Sequence, residues 1–399
     1  MAWQLYQGDC LEVLKQYPDN YFDSVVTDPP YELGFMGKKW DSTGIAYNIE
    51  LWQEVLRVLK PGGHLLAFGG TRTYHRMACA IEDAGFEIRD QIQWIYGSGF
   101  PKSLDISKAI DKMAGAEREV IGNATDRRGD GTVYAIGHSG RLTSNMPITK
   151  EAKQWQGWGT ALKPANEPIV LARKPLSEKT VAENVLKWGT GGLNIDGCRV
   201  GWKDERDRKN GWRASPSNDD ENEYTSFKSG SFGEQNERGR FPANVILDEE
   251  AGRMLDEQSG ISKPRKGRTG KRGGTAWHGQ KGIGTPDKIG RWPSDSGGGA
   301  SRFFYCAKAS KKERGEGNIH PTVKPLSLIK YLITLVTPPG GICLDPFEGS
   351  GTHALACKEL GFNYIGFELN PEYCKMAEKR IEPYLMQQII FELLKGGHR

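Results

Sequence analysis

The sequence predicts an α/β fold in which helices cover a parallel sheet. Short β-rich runs alternate with helical patterns in the first hundred residues, and the same alternation returns in the last eighty. Gly and Pro clusters separate many of these segments, which is typical of the turns between helices and strands. Strands that alternate with helices at this pace are typical of parallel sheets, because a crossover between parallel strands usually needs a helix.

The first α/β segment contains five predicted elements. Residues 23–27 (DSVVT) form a β-rich run that ends at Asp-Pro-Pro, and residues 51–59 have apolar side chains at helical spacing. Pro-Gly-Gly at 61–63 should stop this helix. The remaining predicted elements are a strand at 64–68 (HLLAF), a helix at 74–84 and a strand at 87–96.

The last eighty residues repeat the alternation. Their predicted elements are a helix at 326–336, a strand at 342–344, a helix at 352–360, a strand at 363–367 and a helix at 371–381. Asn370 and Pro371 suit the start of the final helix, where a capping side chain and a fixed φ are favourable. Each predicted strand is followed by an acidic residue, Asp345 or Glu368.

The middle of the chain has a different composition. It is rich in Gly, Ser, Arg and Trp and has weak periodicity, apart from β-rich runs at 167–172 and 241–247. We therefore expect two α/β halves that close into one sheet around an irregular insertion. The predicted domains are 1–121, 122–300 and 301–399.

One stretch of this insertion and its flank is strongly basic. Residues 260–315 contain 14 Lys and Arg against three acidic residues, a net charge of +11, whereas the whole chain carries only +4. Such a segment, with Gly and interspersed aromatic residues, favours phosphate backbones and unstacked bases. A solvated loop is the alternative interpretation. The predicted DNA-binding residues are Lys263, Arg265, Lys266, Arg268, Lys271 and Arg272.

Composition and cysteine use narrow the class of protein. The chain lacks an apolar run of the length that a membrane span needs, and its first residues lack the pattern of a secretory signal. The seven Cys are scattered without a C-x-x-C pair, and the His residues have no metal-site spacing, so neither a disulfide framework nor a metal site is predicted. A reducing cytoplasm, in a bacterium or a phage-infected cell, is the expected location.

A Gly-rich loop at 345–352 (DPFEGSGT) joins a predicted strand to a predicted helix. Ligands of open α/β sheets bind beyond the carboxyl ends of strands, and Gly349 and Gly351 let the backbone approach such a ligand. Glu368, at the end of the next strand, can accept hydrogen bonds from both ribose hydroxyls. The third Gly of a dinucleotide fingerprint is missing, which favours a single nucleoside-like ligand over NAD. A simple turn between strand and helix is the alternative.

The tetrapeptide Asp28-Pro29-Pro30-Tyr31 follows the strand at 23–27. Two prolines fix the backbone and keep the residue before them extended, so the loop presents a carboxylate, free carbonyls and a ring. The Asp28 carboxylate and the Pro29 carbonyl could hold both hydrogens of an exocyclic amino group and direct its lone pair at an electrophilic methyl. Tyr31 could stack on a base extruded from the duplex. A bare D-P-P turn is the alternative interpretation.

Together these motifs resemble the amino-methyltransferases of DNA. His320-Pro-Thr-Val-Lys-Pro325 is similar to the H-P-T-x-K-P element of that family, and Gly8-Asp9-Cys10-Leu11 is similar to its element before D-P-P-Y. The catalytic loop precedes the insertion and the cofactor loop follows it, as in the permuted β group. Residues 30–42 and 158–176 resemble stand-alone members that phages or prophages often carry.

The resemblance implies a Rossmann-like, circularly permuted methyltransferase sheet with an inserted target-recognition region, and S-adenosylmethionine as the cofactor. The implied catalytic residues are Asp28, Pro29, Pro30 and Tyr31. The implied cofactor-binding residues are Asp9, Cys10, Thr322, Lys324, Pro325, Asp345, Phe347, Gly349, Gly351, Glu368 and Asn370. Among them, Asp9 would contact the adenine ring of S-adenosylmethionine and Glu368 its ribose. Thr322 and Lys324 would contact its methionine carboxylate.

Adenine N6 in double-stranded DNA is the expected target, because D-P-P-Y leans toward adenine in the resembling families. Cytosine N4, methylation of RNA or of a protein glutamine, and a non-catalytic DNA-binding subunit remain open. Methylation at cytosine C5 is excluded because no Pro-Cys dipeptide occurs. Dimers are common in the resembling group, which makes a homodimer an expectation. A companion nuclease, as in restriction-modification, is left open.

Overall fold

The computed structural model describes residues 3–34, 39–99, 103–123, 141–202, 237–263, 268–271, 289–292, 298–307 and 323–382. The chain divides into two compact units. The larger unit comprises Met1–Gly97 and Asn166–Arg399, and the smaller comprises Ser98–Ala165. No described helix is both long enough and apolar enough to span a bilayer.

A sheet of nine strands forms the centre of the larger unit. Its order is β1-β13-β12-β2-β3-β7-β4-β8-β11. In chain order these strands are β1 (Trp3–Gln7), β2 (Phe22–Thr27), β3 (Leu59–Phe68), β4 (Glu87–Ile95), β7 (Asn166–Arg173), β8 (Val245–Asp248), β11 (Tyr305–Ala307), β12 (Ile342–Asp345) and β13 (Asn363–Glu368). Outside this sheet, β5 (Val120–Asn123) pairs with β6 (Arg141–Thr143), and β9 (Arg268–Lys271) pairs with β10 (Ile289–Trp292).

Eight of the nine strands run in the same direction. Strand β7 is antiparallel to both of its neighbours, β3 and β4, and every other pairing in the sheet is parallel. The predicted α/β fold with a parallel sheet is therefore confirmed, with one reversed strand inside it. The reversal brings the start of β7 to the edge at which the other strands end.

Helices cover the sheet of the larger unit. They are α1 (Cys10–Leu14), α2 (Ile49–Val58), α3 (Tyr74–Asp83), α6 (Val181–Trp188), α7 (Glu249–Ser259), α8 (Leu326–Val336), α9 (Thr352–Leu360) and α10 (371–382), whereas α4 (Ile106–Met113) and α5 (Lys150–Gln154) belong to the smaller unit. The predicted cap of the last helix is present, because Asn370 Oδ1 accepts the Glu372 amide at 2.8 Å.

Alternation along the strands divides the core into two layers. Leu65 and Ala67 of β3 pack with α2 and α3, whereas Leu66 and Phe68 pack with α8. Successive side chains of a strand point to opposite faces, so a strand covered on both faces reads as a continuous apolar run. This explains why HLLAF has no polar alternation.

Strand β3 is longer than the sequence predicts. Pro61-Gly62-Gly63 was expected to lie between a helix and a strand, but β3 begins at Leu59 and includes all three residues. The Pro61 carbonyl accepts hydrogen bonds from Asn184 Nδ2 at 2.8 Å and from Thr190 Oγ1 at 2.6 Å. These side-chain donors satisfy the backbone where the pairing is irregular.

The middle of the chain is organised differently from the single insertion predicted at 122–300. Strands β7 and β8 both fall inside that range, yet both belong to the central sheet. The separate unit is 98–165 instead. The β-rich runs at 167–172 and 241–247 were recognisable in the sequence, but their pairing with the strands of the central sheet was not, because that pairing is long-range. Inside the smaller unit, the buried Asp111 carboxylate accepts the Arg118 Nε–H at 2.6 Å and the Thr149 amide at 3.0 Å.

Candidate functional site

Four neighbouring strands bring the predicted motifs to one edge of the sheet. Strands β13, β12, β2 and β3 are adjacent and parallel, so their carboxyl ends lie side by side. Glu368 ends β13, Asp345 ends β12, and Asp28 directly follows β2. The sheet topology thus assembles three acidic residues that are far apart in the sequence.

Asp28 is held by Lys324. The Lys324 Nζ lies 2.6 Å from Asp28 Oδ2, and the two side chains are 7% and 17% exposed. The other carboxylate oxygen, Asp28 Oδ1, is buried and has no hydrogen-bond partner among the described residues. Buried acceptors normally have a donor, so an unused one at a strand end is typical of a binding site.

Glu167 is a further member of this cluster, and the sequence interpretation did not include it. Its Oε2 lies 3.3 Å from Lys324 Nζ and accepts the Tyr31 hydroxyl at 2.9 Å. Glu167 reaches the site because β7 is antiparallel and therefore begins where β3 ends. The β-rich run at 167–172 was recognisable in the sequence, but its direction in the sheet was not.

Electrostatics set the ionisation of the cluster. Burial would lower the pKa of Lys324, but the nearby Asp28 and Glu167 carboxylates outweigh it and raise that pKa above its ordinary value. Burial raises the pKa of Tyr31 well above its usual range, and the charges of Asp28 and Glu167 raise it further. At neutral pH, Lys324 is therefore a cation and Tyr31 a neutral phenol.

Aromatic rings surround the Lys324 ammonium. It lies 5.2 Å from the centroid of the Tyr31 ring and 4.9 Å from that of Phe68. The Thr73 hydroxyl donates to the Tyr31 carbonyl at 2.7 Å, which fixes the backbone of the tetrapeptide. These contacts hold the loop in one conformation from both its side-chain and main-chain groups.

The Gly loop has the backbone geometry that its sequence predicts. Gly349 and Gly351 have φ values of +58° and +82°, a region that side chains other than Gly rarely adopt. A Cβ on Gly351 would also meet the Ala377 backbone at 3.0 Å. The loop backbone can thus lie close both to α10 and to a ligand.

Glu368 is tied to this loop. Its Oε2 accepts the Gly349 amide at 2.8 Å, and its Oε1 accepts the Asn370 amide at 2.7 Å. Burial raises its pKa above the usual range, against the lowering effect of these two amides. Each oxygen keeps a lone pair, so the carboxylate can still accept a donor from a ligand.

Asp345 supports the loop from the protein interior. It is fully buried; its Oδ1 accepts the Thr27 hydroxyl at 2.6 Å and the Phe347 amide at 3.0 Å. His353 Nδ1 lies 2.8 Å from its Oδ2. This carboxylate therefore links the ends of β2 and β12 and shapes the loop from below.

Glu348 is the acidic residue inside the Gly loop, but its side chain is buried and contacts the Tyr364 hydroxyl. Burial, together with the neighbouring Asp345 charge, raises its pKa well above the ordinary value. Both effects disfavour the charged form of this side chain.

The element at 8–11 also reaches this edge. The Gly8 amide donates to the Glu368 carbonyl at 2.9 Å, and Asp9 Oδ1 caps α1 by accepting the Leu11 amide at 2.9 Å. Cys10 is buried, and burial raises the pKa of its thiol to about 12. The Cys10 side chain is therefore a neutral thiol at neutral pH.

The remaining predicted residues are distributed as follows. Phe347 is half-buried beside the α2 layer of the core, Pro29 is buried at the start of the D-P-P-Y loop, and Pro325 is the N-cap of α8. Lys263 is exposed, and the backbones of Arg268 and Lys271 belong to β9. Thr322, Arg265, Lys266 and Arg272 lie outside the described residues.

Comparisons with known proteins found similar methyltransferases. The chain is 25% identical over 336 residues to the type II methyltransferase M.HindIII of Haemophilus influenzae, covering 84% of this chain and 68% of that protein. It is 44% identical over 63 residues to the DNA adenine methyltransferase YhdJ of Escherichia coli, covering 16% of this chain and 21% of that protein. The second match spans only about a fifth of its relative.

A solved structure of M1.HpyAVI in complex with SAM is also similar, with a TM-score of 0.40 and 18% identity, and the match covers 94% of this chain and 98% of that one. The family of N6 and N4 methyltransferases, described as DNA methylase, matches residues 22–379. The resemblance inferred from the motifs is thereby confirmed. This chain belongs to the DNA methylase family of N6 and N4 methyltransferases.

Proposed function

We propose that the chain transfers a methyl group from S-adenosylmethionine to the N6 amino group of adenine in double-stranded DNA. The observation that carries the proposal is the buried, unpartnered Asp28 Oδ1 at the strand edge that also presents the Gly loop and Glu368. An acceptor for an amino group and a pocket for a nucleoside-like cofactor thus share one edge.

On the base side, Asp28 Oδ1 and the Pro29 carbonyl are the proposed acceptors for the two amino hydrogens. Using both hydrogens leaves the nitrogen lone pair as the group that faces the donor. The base must leave the duplex to reach them, and Tyr31 is the proposed stacking partner. Reaction then depends mainly on alignment and on charge placement.

On the cofactor side, Glu368 is the proposed acceptor for the ribose hydroxyls, and the backbone at Gly349 and Gly351 is the proposed floor of the pocket. Asp9 is proposed to approach the adenine ring of the cofactor. Thr322 and Lys324 are proposed to bind the carboxylate of its methionine part. Bound here, S-adenosylmethionine would supply an electrophilic sulfonium methyl. The positive φ values and the free lone pairs of Glu368 fit such a ligand.

DNA is proposed to contact the basic segment at 260–315, with its net charge of +11. Adenine is favoured over cytosine by the D-P-P-Y sequence. The 44% identity to a protein named as a DNA adenine methyltransferase, although it extends over only 63 residues, supports the same choice.

Nucleoside analysis tests the proposal. Unmethylated genomic DNA is incubated with S-adenosylmethionine and the wild-type protein, Asp28→Ala or Asp28→Asn, then digested and examined by mass spectrometry. Asp19→Asn is the matched control, because Asp19 is an exposed partner of Arg57.

We expect N6-methyladenine with the wild type and the control, and its loss in both Asp28 variants. N4-methylcytosine in its place would keep the methyltransferase and change the target base. If neither N6-methyladenine nor N4-methylcytosine forms while the cofactor still binds, DNA is excluded as the substrate, and RNA or protein becomes the alternative.

A further inference from the structure

We propose that Glu167 is a positioning residue for the methyl transfer, which holds Lys324 and Tyr31 beside Asp28 so that Asp28 Oδ1 stays available to the target amino group. This inference rests on the proposed function. It concerns a residue on β7 that was not among the site residues predicted from the sequence.

The contacts converge on one atom. Glu167 Oε2 accepts the Tyr31 hydroxyl at 2.9 Å and lies 3.3 Å from Lys324 Nζ, which in turn lies 2.6 Å from Asp28 Oδ2. The proposed base-stacking residue and the proposed amino-group acceptor are therefore both connected to Glu167. Displacing this carboxylate would release the Tyr31 hydroxyl and leave Lys324 with Asp28 as its remaining carboxylate partner among these residues.

Sharing the cation matters for charge. If Lys324 had Asp28 as its only carboxylate partner, the pair would be neutral as a whole. With Glu167, one ammonium serves two carboxylates, and the cluster of three keeps a net negative charge. Methyl transfer moves positive charge from the sulfonium toward the attacking nitrogen, so a net negative charge beside that nitrogen stabilises the transition state.

Topology makes the position of Glu167 rigid. Glu167 lies inside β7, opposite Trp94 of β4, and Ile169 two residues later pairs with Phe68 of β3. A side chain on a paired central strand is fixed more tightly than one on a loop. The Glu167 side chain is 19% exposed, so it is not sealed inside the core.

Four variants separate this role from a purely structural one. Glu167→Gln keeps the shape and an acceptor for Tyr31 but removes the charge, whereas Glu167→Asp keeps the charge. Tyr31→Phe removes only the hydroxyl. Glu257→Gln is the matched control, because Glu257 is an exposed partner of Arg253 on α7. For each variant, kcat, KM for DNA, the Kd for S-adenosylmethionine and Tm are measured.

We expect Glu167→Gln to lower kcat by about tenfold to hundredfold. The values of kcat are compared at saturating S-adenosylmethionine, because Lys324 contacts Glu167 and is also the proposed partner of the methionine carboxylate, and the cofactor Kd is therefore measured separately. Glu167→Asp should recover part of kcat. A wild-type kcat in Glu167→Gln would overturn the inference while leaving the proposed function intact. Equal losses of kcat and Tm in the Gln and Asp variants would show a structural role and also overturn it.

A measurement without substrate covers the case in which the wild type does not methylate DNA, which would refute the proposed function itself. The pKa of Lys324 is followed by lysine ¹³Cε NMR and assigned with Lys324→Arg. Glu167→Gln should lower that pKa, because one of the two carboxylates that raise it is removed. An unchanged pKa would overturn the inference independently of catalysis.

Discussion

The Lys324 ammonium lies 2.6 Å from the Asp28 carboxylate, although 296 positions separate the two residues in the sequence. Asp28 directly follows β2, and Lys324 directly precedes Pro325, the N-cap of α8. The pair is largely buried. It therefore joins the proposed base side of the site to the proposed cofactor side.

Lys324→Met should remove both stability and activity. The substitution leaves Asp28 and Glu167 close together without a cation, and breaking a buried pair in this way costs about 3–5 kcal/mol of unfolding free energy. Urea denaturation and single-turnover methylation measure the two effects. Lys330→Met, which removes a more exposed partner of Glu359, is the control. Wild-type stability and activity in Lys324→Met would contradict the contact.

Glu368→Gln should weaken cofactor binding more than it slows transfer. The amide can replace one acceptor, but its NH₂ group must then face the backbone amide of Gly349 or Asn370. We expect the Kd for S-adenosylmethionine, measured by calorimetry, to rise by about tenfold, the effect of roughly 1.4 kcal/mol. Glu372→Gln, on the exposed side of α10, should bind as the wild type does. If the two variants bind S-adenosylmethionine with equal affinity, Glu368 does not contribute to cofactor binding.

Much of the edge could be predicted from the sequence, because its motifs are local. Asp28, Gly349, Gly351 and Glu368 each belong to a strand-to-loop transition that period and turn chemistry reveal. The structure places all of them at the carboxyl ends of adjacent strands. Local sequence pattern was sufficient to predict these positions, because adjacent parallel strands end at the same edge of the sheet.

The position of Glu167 and the raised pKa of Glu348 could not be predicted in the same way. The position of Glu167 depends on the direction of β7 in the sheet, which is a long-range pairing with β3 and β4. The ionisation of Glu348 depends on burial beside Asp345. Neither property is encoded in a short segment. The extension of β3 through Pro61 likewise depends on donors from distant residues, Asn184 and Thr190.

His64 should make the fold sensitive to mild acid. Burial, together with the charges of Arg173 and Arg89, lowers the pKa of His64 to about 4. The unfolded chain takes up this proton near pH 6.5, so between pH 6.5 and 4 the unfolded state binds more protons. The free energy of unfolding should therefore fall as the pH drops through this window, by about 3 kcal/mol at most.

Urea denaturation at pH 7.5, 5.5 and 4.5 checks this dependence. His64→Leu should lose the His64 share of the acid sensitivity, so the difference from the wild type isolates it from other titrating groups. His75→Leu changes an exposed His of α3 and should retain the wild-type pH dependence. Parallel pH curves for wild type and His64→Leu would show that His64 is not the source.

The salt dependence of DNA binding should arise from the basic segment at 260–315. Each phosphate contact contributes about 0.9 to the slope of log K against log salt concentration, so alanine at Lys263, Arg265, Lys266 and Arg268 should reduce that slope by up to about 3.6. Alanine at Lys112, Lys150, Lys153 and Lys375 removes the same charge from exposed positions outside the basic segment. Fluorescence anisotropy with a DNA duplex at several salt concentrations measures both slopes. A reduction confined to the first variant assigns phosphate contacts to the segment. Equal reductions in both variants would mean that net charge alone attracts DNA, and the segment would then have no special part in binding.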